Sequence, residues 1–463
     1  MTNLMGPSDE DPNGQHDLRA TVAERRRRGQ AARQHAPRSR HALWDEAERS
    51  HDAVATIVAQ NAIRVPELTP IRHGRMAASP WTFYRGAAAV MAADLASQPD
   101  SGLDVQLCGD AHVLNYGLWA TPERNLLFDL RDFDETLPGP FEWDVKRLMA
   151  SLVVAAREGG IGSATADRAV SASVKAYRRQ MARFAGAHEL EIWYDSTPVD
   201  SLLAYFEPAD RGVVSTHIEK QAKRRTSRGA YAKLTRMVGG RPRIDEDPPI
   251  RVAIDDYEQQ RFEDECLAQY RLTLPEDLRS LFDRFTVVDV VRQVVGVGSV
   301  GMRVYLVLLE GRLGDDPLFL QVKQAGESVY ESASRVCAHS HHGERVVAGK
   351  RHLQSATDMF VGWASFDDRD FYVRQFRDMK IIPDIDLLIP RLVEFATACG
   401  ETLARAHART GDAVAISSYI GKGDGFGAAM GEFARRYADQ NERDHRQMTD
   451  AIASGQVASE TSW

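Results

Sequence analysis

Between Leu107 and Asp144 the chain reads LCGDAHVLNYGLWATPERNLLFDLRDFDETLPGPFEWD, the stretch that leaves the fewest options for what it can build. The apolar residues Val105 and Leu107 form a strand that enters a polar turn, Cys108 to Asn115, in which Gly109 and Asp110 stand side by side. After a further turn at Pro122 to Asn125, a second strand from Leu126 to Phe128 runs into Asp129, Asp132, Asp134 and Glu135. A strand that delivers carboxylates next to a Gly-Asp turn is either a hairpin with a solvated acidic surface or a site. The spacing favours a site. An Asp and an Asn on one loop, followed by an Asp at the end of the next strand, suit phosphoryl transfer: Asp110 takes the proton of an acceptor hydroxyl, while Asn115 and a later Asp hold magnesium. Oxygen ligands are what so small and hard a cation demands.

With 463 residues, 43% of them hydrophobic, the chain can bury a large core and is expected to form two lobes. Its formal net charge of −8 argues against a general nucleic-acid binder. Cys108, Cys266, Cys337 and Cys399 stand apart without paired or metal-type spacing, which suits free thiols in a reducing compartment. The opening MTNLMGPSDEDPNGQ is too polar to be the core of a secretory signal, and no apolar run approaches a membrane span. A cytoplasmic protein without membrane partners is expected, with residues 1–17 disordered. The sequence says nothing of oligomeric state.

Arg19 to Arg40, centred on Arg25 to Arg28, reads as a solvated helix face or a contact for an acidic partner. Ser79-Pro80 opens a helix as N-cap and first residue, with Phe83, Ala87, Val90 and Met91 on its apolar face. Arg85 either reaches the acidic cluster or makes a structural ion pair. Helical patterns continue at Val145 to Arg157, Ala164 to Ala187 and Leu202 to Phe206. The basic segment Lys220 to Arg243 is either one wall of a site for an anion or a loop between helices.

From Thr286 the pattern changes to strands. Val287 to Val295 is followed by the glycines Gly296, Gly298 and Gly301, by a strand from Val304 to Leu309, and by a third strand, LFLQVKQA, that carries Lys323. A dinucleotide-binding fold would open a helix at the last glycine, and here a strand follows instead. Alternation sets Phe319, Gln321 and Lys323 on one face and Leu318, Leu320 and Val322 on the other. A helix from His342 to Gln354, a hairpin of Phe360 to Phe366 with Asp370 to Phe376, and a helix from Leu392 to Arg409 complete the pattern.

GDAHVLN, Gly109 to Asn115, resembles the GDxHxxN loop of aminoglycoside phosphotransferases and related small-molecule kinases, and RDFDE, Arg131 to Glu135, resembles their metal-binding strand end. PRSRHALW (Pro37 to Trp44), RMAASPWTFYRGAAAVMAADLA (Arg75 to Ala96), the acidic stretch and VGVGSVGMRVYLVLLEG (Val295 to Gly311) are similar to the bacterial family known as domain of unknown function 2252. That likeness covers nearly the whole chain and carries no activity. The kinase resemblance implies ATP and Mg2+ as cofactors and an acceptor of unknown identity, with Asp110 as general base and Asn115, Asp132 and Asp134 at the metal. His112 would assist at the metal, orient Asp110 or only pack, and Asp144 would anchor the loop from the start of its helix. The resemblance further implies that Gly296, Gly298, Ser299 and Gly301 cover the phosphates and that Lys323 contacts them. Glu344 would pair with the Lys323 ammonium, Glu327 and Glu331 being nearer in sequence but in a turn. Gln375 and Phe376 would form the hinge that holds adenine.

In an ordinary kinase the glycine-rich sheet and its lysine precede the catalytic aspartate, and here they follow it. The expected class is therefore α+β, a two-lobed protein kinase-like fold that is circularly permuted. Residues 18–100 would form an N-terminal helical region, 101–285 the mostly helical catalytic lobe, 286–380 the antiparallel β nucleotide-binding lobe, and 381–455 the helices completing the helical lobe. An unpermuted kinase would need a glycine-rich hairpin within 41–106, where the patterns are helical. Two other functions stay open on the same fold: nucleotidyl transfer from ATP, and a non-catalytic nucleotide-binding scaffold.

Overall fold

A computed structural model describes residues 20–461 except 297, 314, 333, 334 and 378. The tail expected at residues 1–17 lies outside the described residues. The chain is a mixed α+β structure with antiparallel sheets.

Four short strands frame the acidic stretch: β1 (Asp104–Leu107), β2 (Tyr116–Ala120), β3 (Leu126–Leu130) and β4 (Leu137–Pro140). β1 pairs with β4, setting Leu107 opposite Leu137, and β2 pairs with β3, setting Tyr116 opposite Leu130. Leu137 to Pro140, residues that ordinarily make turns, thus form a strand. It tolerates proline because the β1–β4 pair has only two strands, and Pro138 is exposed on it. Directly after β4 comes the helix Phe141–Glu158, buried along nearly its whole length between the helices Ser163–Phe184, Leu392–Ala408 and Gly425–Ala453. Being enclosed on all sides, it can position side chains with little freedom.

Next come a hairpin, β5 (Thr235–Val238) and β6 (Arg241–Ile244), and a six-stranded sheet built from β7 (Arg251–Ala253), β8 (Thr286–Gln293), β9 (Val304–Glu310), β10 (Pro317–Ala325), β11 (Gly362–Phe366) and β12 (Arg369–Gln375). The order across this sheet is β11-β12-β10-β9-β8-β7. Its two faces divide as the alternation of β10 requires. Leu318, Leu320 and Val322 pack with Phe262, Cys266 and Tyr270 on one side. On the other, Phe319 packs with Leu306 and Leu308 against Ala230, Leu234 and Ile244, and the same face becomes polar farther along β10, where Gln321 and Lys323 are buried.

That packing revises the basic segment Lys220 to Arg243. It is neither a wall of the acidic cleft nor a loop: it forms the end of the helix Pro208–Arg224, the helix Ser227–Leu234 and the β5–β6 hairpin. Burial of Ala230 and Leu234 on the sheet and the 2.7 Å pair of Arg243 with Asp289 explain its order.

At the N-terminal side, Ser79 caps the helix Pro80–Gly86 as expected. The basic helix Val22–His35 is not simply solvated. It docks on the helix Ala413–Ile420, where Arg33 Nε donates to the Tyr419 carbonyl (2.9 Å) and Arg38 Nη1 donates to the Ile420 carbonyl (2.7 Å). Cations at a helix C-terminus satisfy its last carbonyls and its dipole. Among the described residues no helix is long and apolar enough to cross a membrane.

Candidate active site

The loop from Cys108 to Asn115 is pinned from beneath. Asp144, in the first turn of the buried helix, accepts hydrogen bonds from the Cys108 (2.8 Å) and Gly109 (3.1 Å) amides. His407 Nε2 lies 3.2 Å from Asp144 Oδ2, and the Tyr177 hydroxyl lies 2.8 Å from His407 Nδ1. A neutral His407 with its proton on Nε2 satisfies both contacts, donating to Asp144 and accepting from Tyr177. Gly109 has φ 86°, and a Cβ there would stand 2.2 Å from the Glu135 carbonyl oxygen, so only glycine lets the end of β3 close over the loop.

Asn115 joins the two acidic segments. Its Oδ1 accepts from the Asp132 amide (2.7 Å), and its Nδ2 donates to the carbonyls of Asp110 (2.8 Å) and Asp132 (3.0 Å). Asp110 is held on one side only: Oδ1 accepts from Arg147 Nε at 2.9 Å, while Oδ2 faces His112 Nε2 at 3.7 Å. Arg147 is itself fixed, its guanidinium 3.9 Å from the Tyr84 ring centroid and its Nη2 donating to the Tyr84 carbonyl (2.7 Å). Burial pushes the His112 imidazole down to about 4 although Asp110 opposes this, and Arg85, Arg147 and Arg131 push in the same direction as burial. His112 is therefore neutral near pH 7, suited to orienting a carboxylate rather than to carrying charge.

The four acids at the end of β3 have different fates. Asp129 is fully buried and satisfied by Arg405, by the Ser355 amide and hydroxyl (2.8 Å each) and by the Leu130 amide (2.9 Å). Asp132 has a buried Oδ1 without a hydrogen-bond partner among the described residues. Burial alone would raise its carboxyl, but Lys323, Arg374, Lys380 and Arg131 hold it well below the usual carboxylate range. Asp134 pairs with the Lys323 ammonium through one oxygen and accepts from the Tyr372 hydroxyl (2.8 Å) through the other. It serves as the counter-ion of Lys323, not as the free metal ligand expected of it. Glu135 is pushed up to about 7 by burial, against the hydrogen bond it accepts from the Val329 amide (2.8 Å).

The assignment of Glu344 to Lys323 is likewise corrected. Glu344 falls on the outer side of the helix His342–Leu353, its side chain 39% exposed and 3.9 Å from His339. Arg345 takes the inward position, donating to the Thr136 (2.6 Å) and Asp134 (2.8 Å) carbonyls. The hinge pair also stands elsewhere. The Gln375 amide donates to Asp358 and the Phe376 amide to the Phe319 carbonyl (2.9 Å), so neither amide is free, and neither residue lines the acidic cleft.

That cleft contains about 1020 Å³ of space, part of it open to solvent, and brings Asp110, His112, Asp132 and Asp134 to face Gly296, Gly298 and Ser299. Gly301 braces the turn from outside, its φ of 88° placing it against the Arg64 side chain while its carbonyl accepts from the Val65 amide (2.8 Å). Lys323 stands behind Asp134. Two arginines complete the wall from the N-terminal helices. Arg85, raised from the sequence, has a buried Nε without a partner among the described residues. Arg64 was missed, because no motif marks it; it becomes a cleft residue only through the turn at Gly301.

Magnesium keeps several waters and takes one or two carboxylates together with phosphate oxygens. Asp132, with its orphan Oδ1, fits that role, and Asn115 Oδ1, already accepting one hydrogen bond, has a lone pair left. Among the described residues no group of three or more His, Cys, Asp and Glu forms an all-protein metal cage.

Residues 64–451 match the family described as "Uncharacterized protein conserved in bacteria (DUF2252)". The chain belongs to the DUF2252 family. No curated protein and no solved structure matches it. The span shared with DUF2252 holds both sides of the cleft, from Arg64 to Val329, and leaves only Gln60 and Ile63 of its lining outside.

Proposed function

We propose that this DUF2252 chain is an ATP- and magnesium-dependent phosphotransferase with a circularly permuted kinase-like fold, acting on an acceptor hydroxyl. The observation that carries this is the meeting of Asp110 and Asp132 with the turn of Gly296 and Gly298 in one cleft, while Lys323 pairs with an acid 189 positions away in the chain. The permutation has its own support. The helix Leu392–Ala408, which resembles the one that directly precedes the catalytic loop in small-molecule kinases, ends beside β1, where the Gln106 amide donates to Thr410 Oγ1 at 3.0 Å. The end of that helix is thus next to the strand that enters the loop.

Asp110, held by Arg147 through one oxygen, turns the other toward the cleft and takes the acceptor proton. Asp132 and Asn115 would hold magnesium, which when bound supplies positive charge to the phosphate oxygens. The glycine turn lets backbone approach the phosphates, and Arg85 and Arg64 supply guanidinium donors to them.

The test is transfer or hydrolysis of the labelled γ-phosphate of ATP. Asp110→Ala and Asp132→Ala are expected to remain folded and to lose turnover, and full turnover in both would refute the assignment. The Lys323–Asp134 pair favours a second reading, a scaffold that binds nucleotide without transferring phosphate, because the closed pair keeps the ammonium from a phosphate. Stabilisation by ATP with magnesium and no turnover in the native chain would select it.

A further inference from the structure

A second pocket, about 410 Å³ of space with part of it open to solvent, shares no lining residue with the acidic cleft and carries four cations: Arg131, Lys350, Arg374 and Lys380. Asp358 is the acid that lines it, and both its oxygens already accept backbone amides, from Phe360 at 2.8 Å and from Gln375. Asp132 is the next acid within electrostatic reach. Arg374 donates from Nε and Nη2 to Gln321 Oε1 (3.1 and 2.8 Å). Arg131 donates from Nη2 to the Leu114 carbonyl (2.8 Å) and leaves Nε and Nη1 buried without partners among the described residues. Neither lysine ammonium makes an ion pair or a hydrogen bond among the described residues.

Two neutral groups in the same lining are also orphaned. Trp119 Nε1 and Gln354 Oε1 are buried without partners among the described residues, in side chains 7% and 3% exposed. Buried polar groups without hydrogen bonds are costly, and here they stand beside two half-buried lysines, a set that a ligand would complete. The donors suit the oxygens of a tetrahedral oxyanion, and the lone acceptor, Gln354 Oε1, suits the hydroxyl of a protonated phosphoryl group. Burial lowers Lys350 to about 8 against the pull of Asp358 and Asp132, and burial with Arg374 and Arg131 lowers Lys380 well below the usual lysine range against Asp132.

We infer that this cavity binds a phosphoryl group, either free inorganic phosphate or the phosphate end of a phosphorylated metabolite. The inference stands on these side chains and needs no transfer chemistry in the cleft. Calorimetric titration of the full chain with inorganic phosphate, in EDTA and without nucleotide, is expected to show one site per chain. The Lys350→Met/Lys380→Met double variant should weaken it about 100-fold, roughly tenfold for each charge-assisted hydrogen bond removed. The same variant, relieved of two crowded, half-buried cations, should melt at or above the native temperature without phosphate and lose the rise that phosphate gives the native chain. Asp110→Ala should bind phosphate as the native chain does, so loss of the transferase proposal leaves this one standing. Competition between phosphate and ATP would assign the cavity to the nucleotide's own phosphates, and independent binding would assign it to free phosphate. No phosphate binding by the native chain, or unchanged affinity in the double variant, would overturn the inference.

Discussion

Asp129 and Asp132 leave the same strand and face two different regions of the molecule. The Asp129 side is closed: Arg405, Ser355 and the Leu130 amide use its oxygens, and it is fully buried. The Asp132 side is open: one oxygen has no partner among the described residues, four cations surround it, and the glycine-rich turn stands across the cleft. The two residues belong to one acidic motif, and side-chain identity cannot tell them apart. What separates framework from chemistry here is whether each carboxylate's hydrogen bonds are already made inside the protein.

Substitution should expose that contrast most strongly at Asp129. Asp129→Ala leaves Arg405 buried and unpaired and should cost about 3–5 kcal/mol in urea unfolding. Asp132→Asn removes a carboxylate whose charge four cations favour and should cost about 1–2 kcal/mol, less than Asp129→Ala, while lowering ATP turnover by roughly two to three orders of magnitude. Equal destabilisation by the two would erase the distinction. Asp144→Ala, which unpins the Cys108 and Gly109 amides, should cost roughly 2–3 kcal/mol and reduce turnover through a loosened loop, placing Asp144 with Asp129 on the framework side. Gly109→Ala should cost about 1–2 kcal/mol by the same measurement, from its left-handed backbone and the crowded Glu135 carbonyl, and should depress turnover more than stability.

The smallest effect concerns pH. Glu135 is raised from its ordinary value of 4.5 to about 7, so the folded state holds its proton more tightly than the unfolded state does. The stabilisation is complete below about 4.5 and disappears as pH rises through about 7. Unfolding measured across that window should show a decline in the native chain that Glu135→Gln lacks. Parallel curves would remove Glu135 from the titrating groups of the open region.

Much of this contrast was legible before coordinates. The β-branched and apolar runs of β8 to β10, bounded by glycines and a turn, marked strands that the sheet reproduces, because short apolar runs between turn residues are a local signal even where both faces are buried. Asp144 was placed as an anchor by the resemblance, and it holds the loop from its helix. The strands β2 and β4 were not legible: β2, YGLWA, holds a glycine and no β-branched residue, and β4 is written in residues that ordinarily make turns. Which side chain of the helix His342–Leu353 turns inward depends on its rotation against the sheet. One step of helix phase exchanges Glu344 for Arg345. The orphaned cations around Lys350 and Lys380 come from three separate segments, and no local pattern brings them together.

Hydrogen exchange with and without ATP and magnesium tests the nucleotide cleft most directly. Slowed exchange is predicted in residues 109–115, 131–135 and 296–302 together, the acidic loop and the glycine turn closing on one ligand. Protection confined to one side of the cleft, or none at saturating nucleotide, would contradict it.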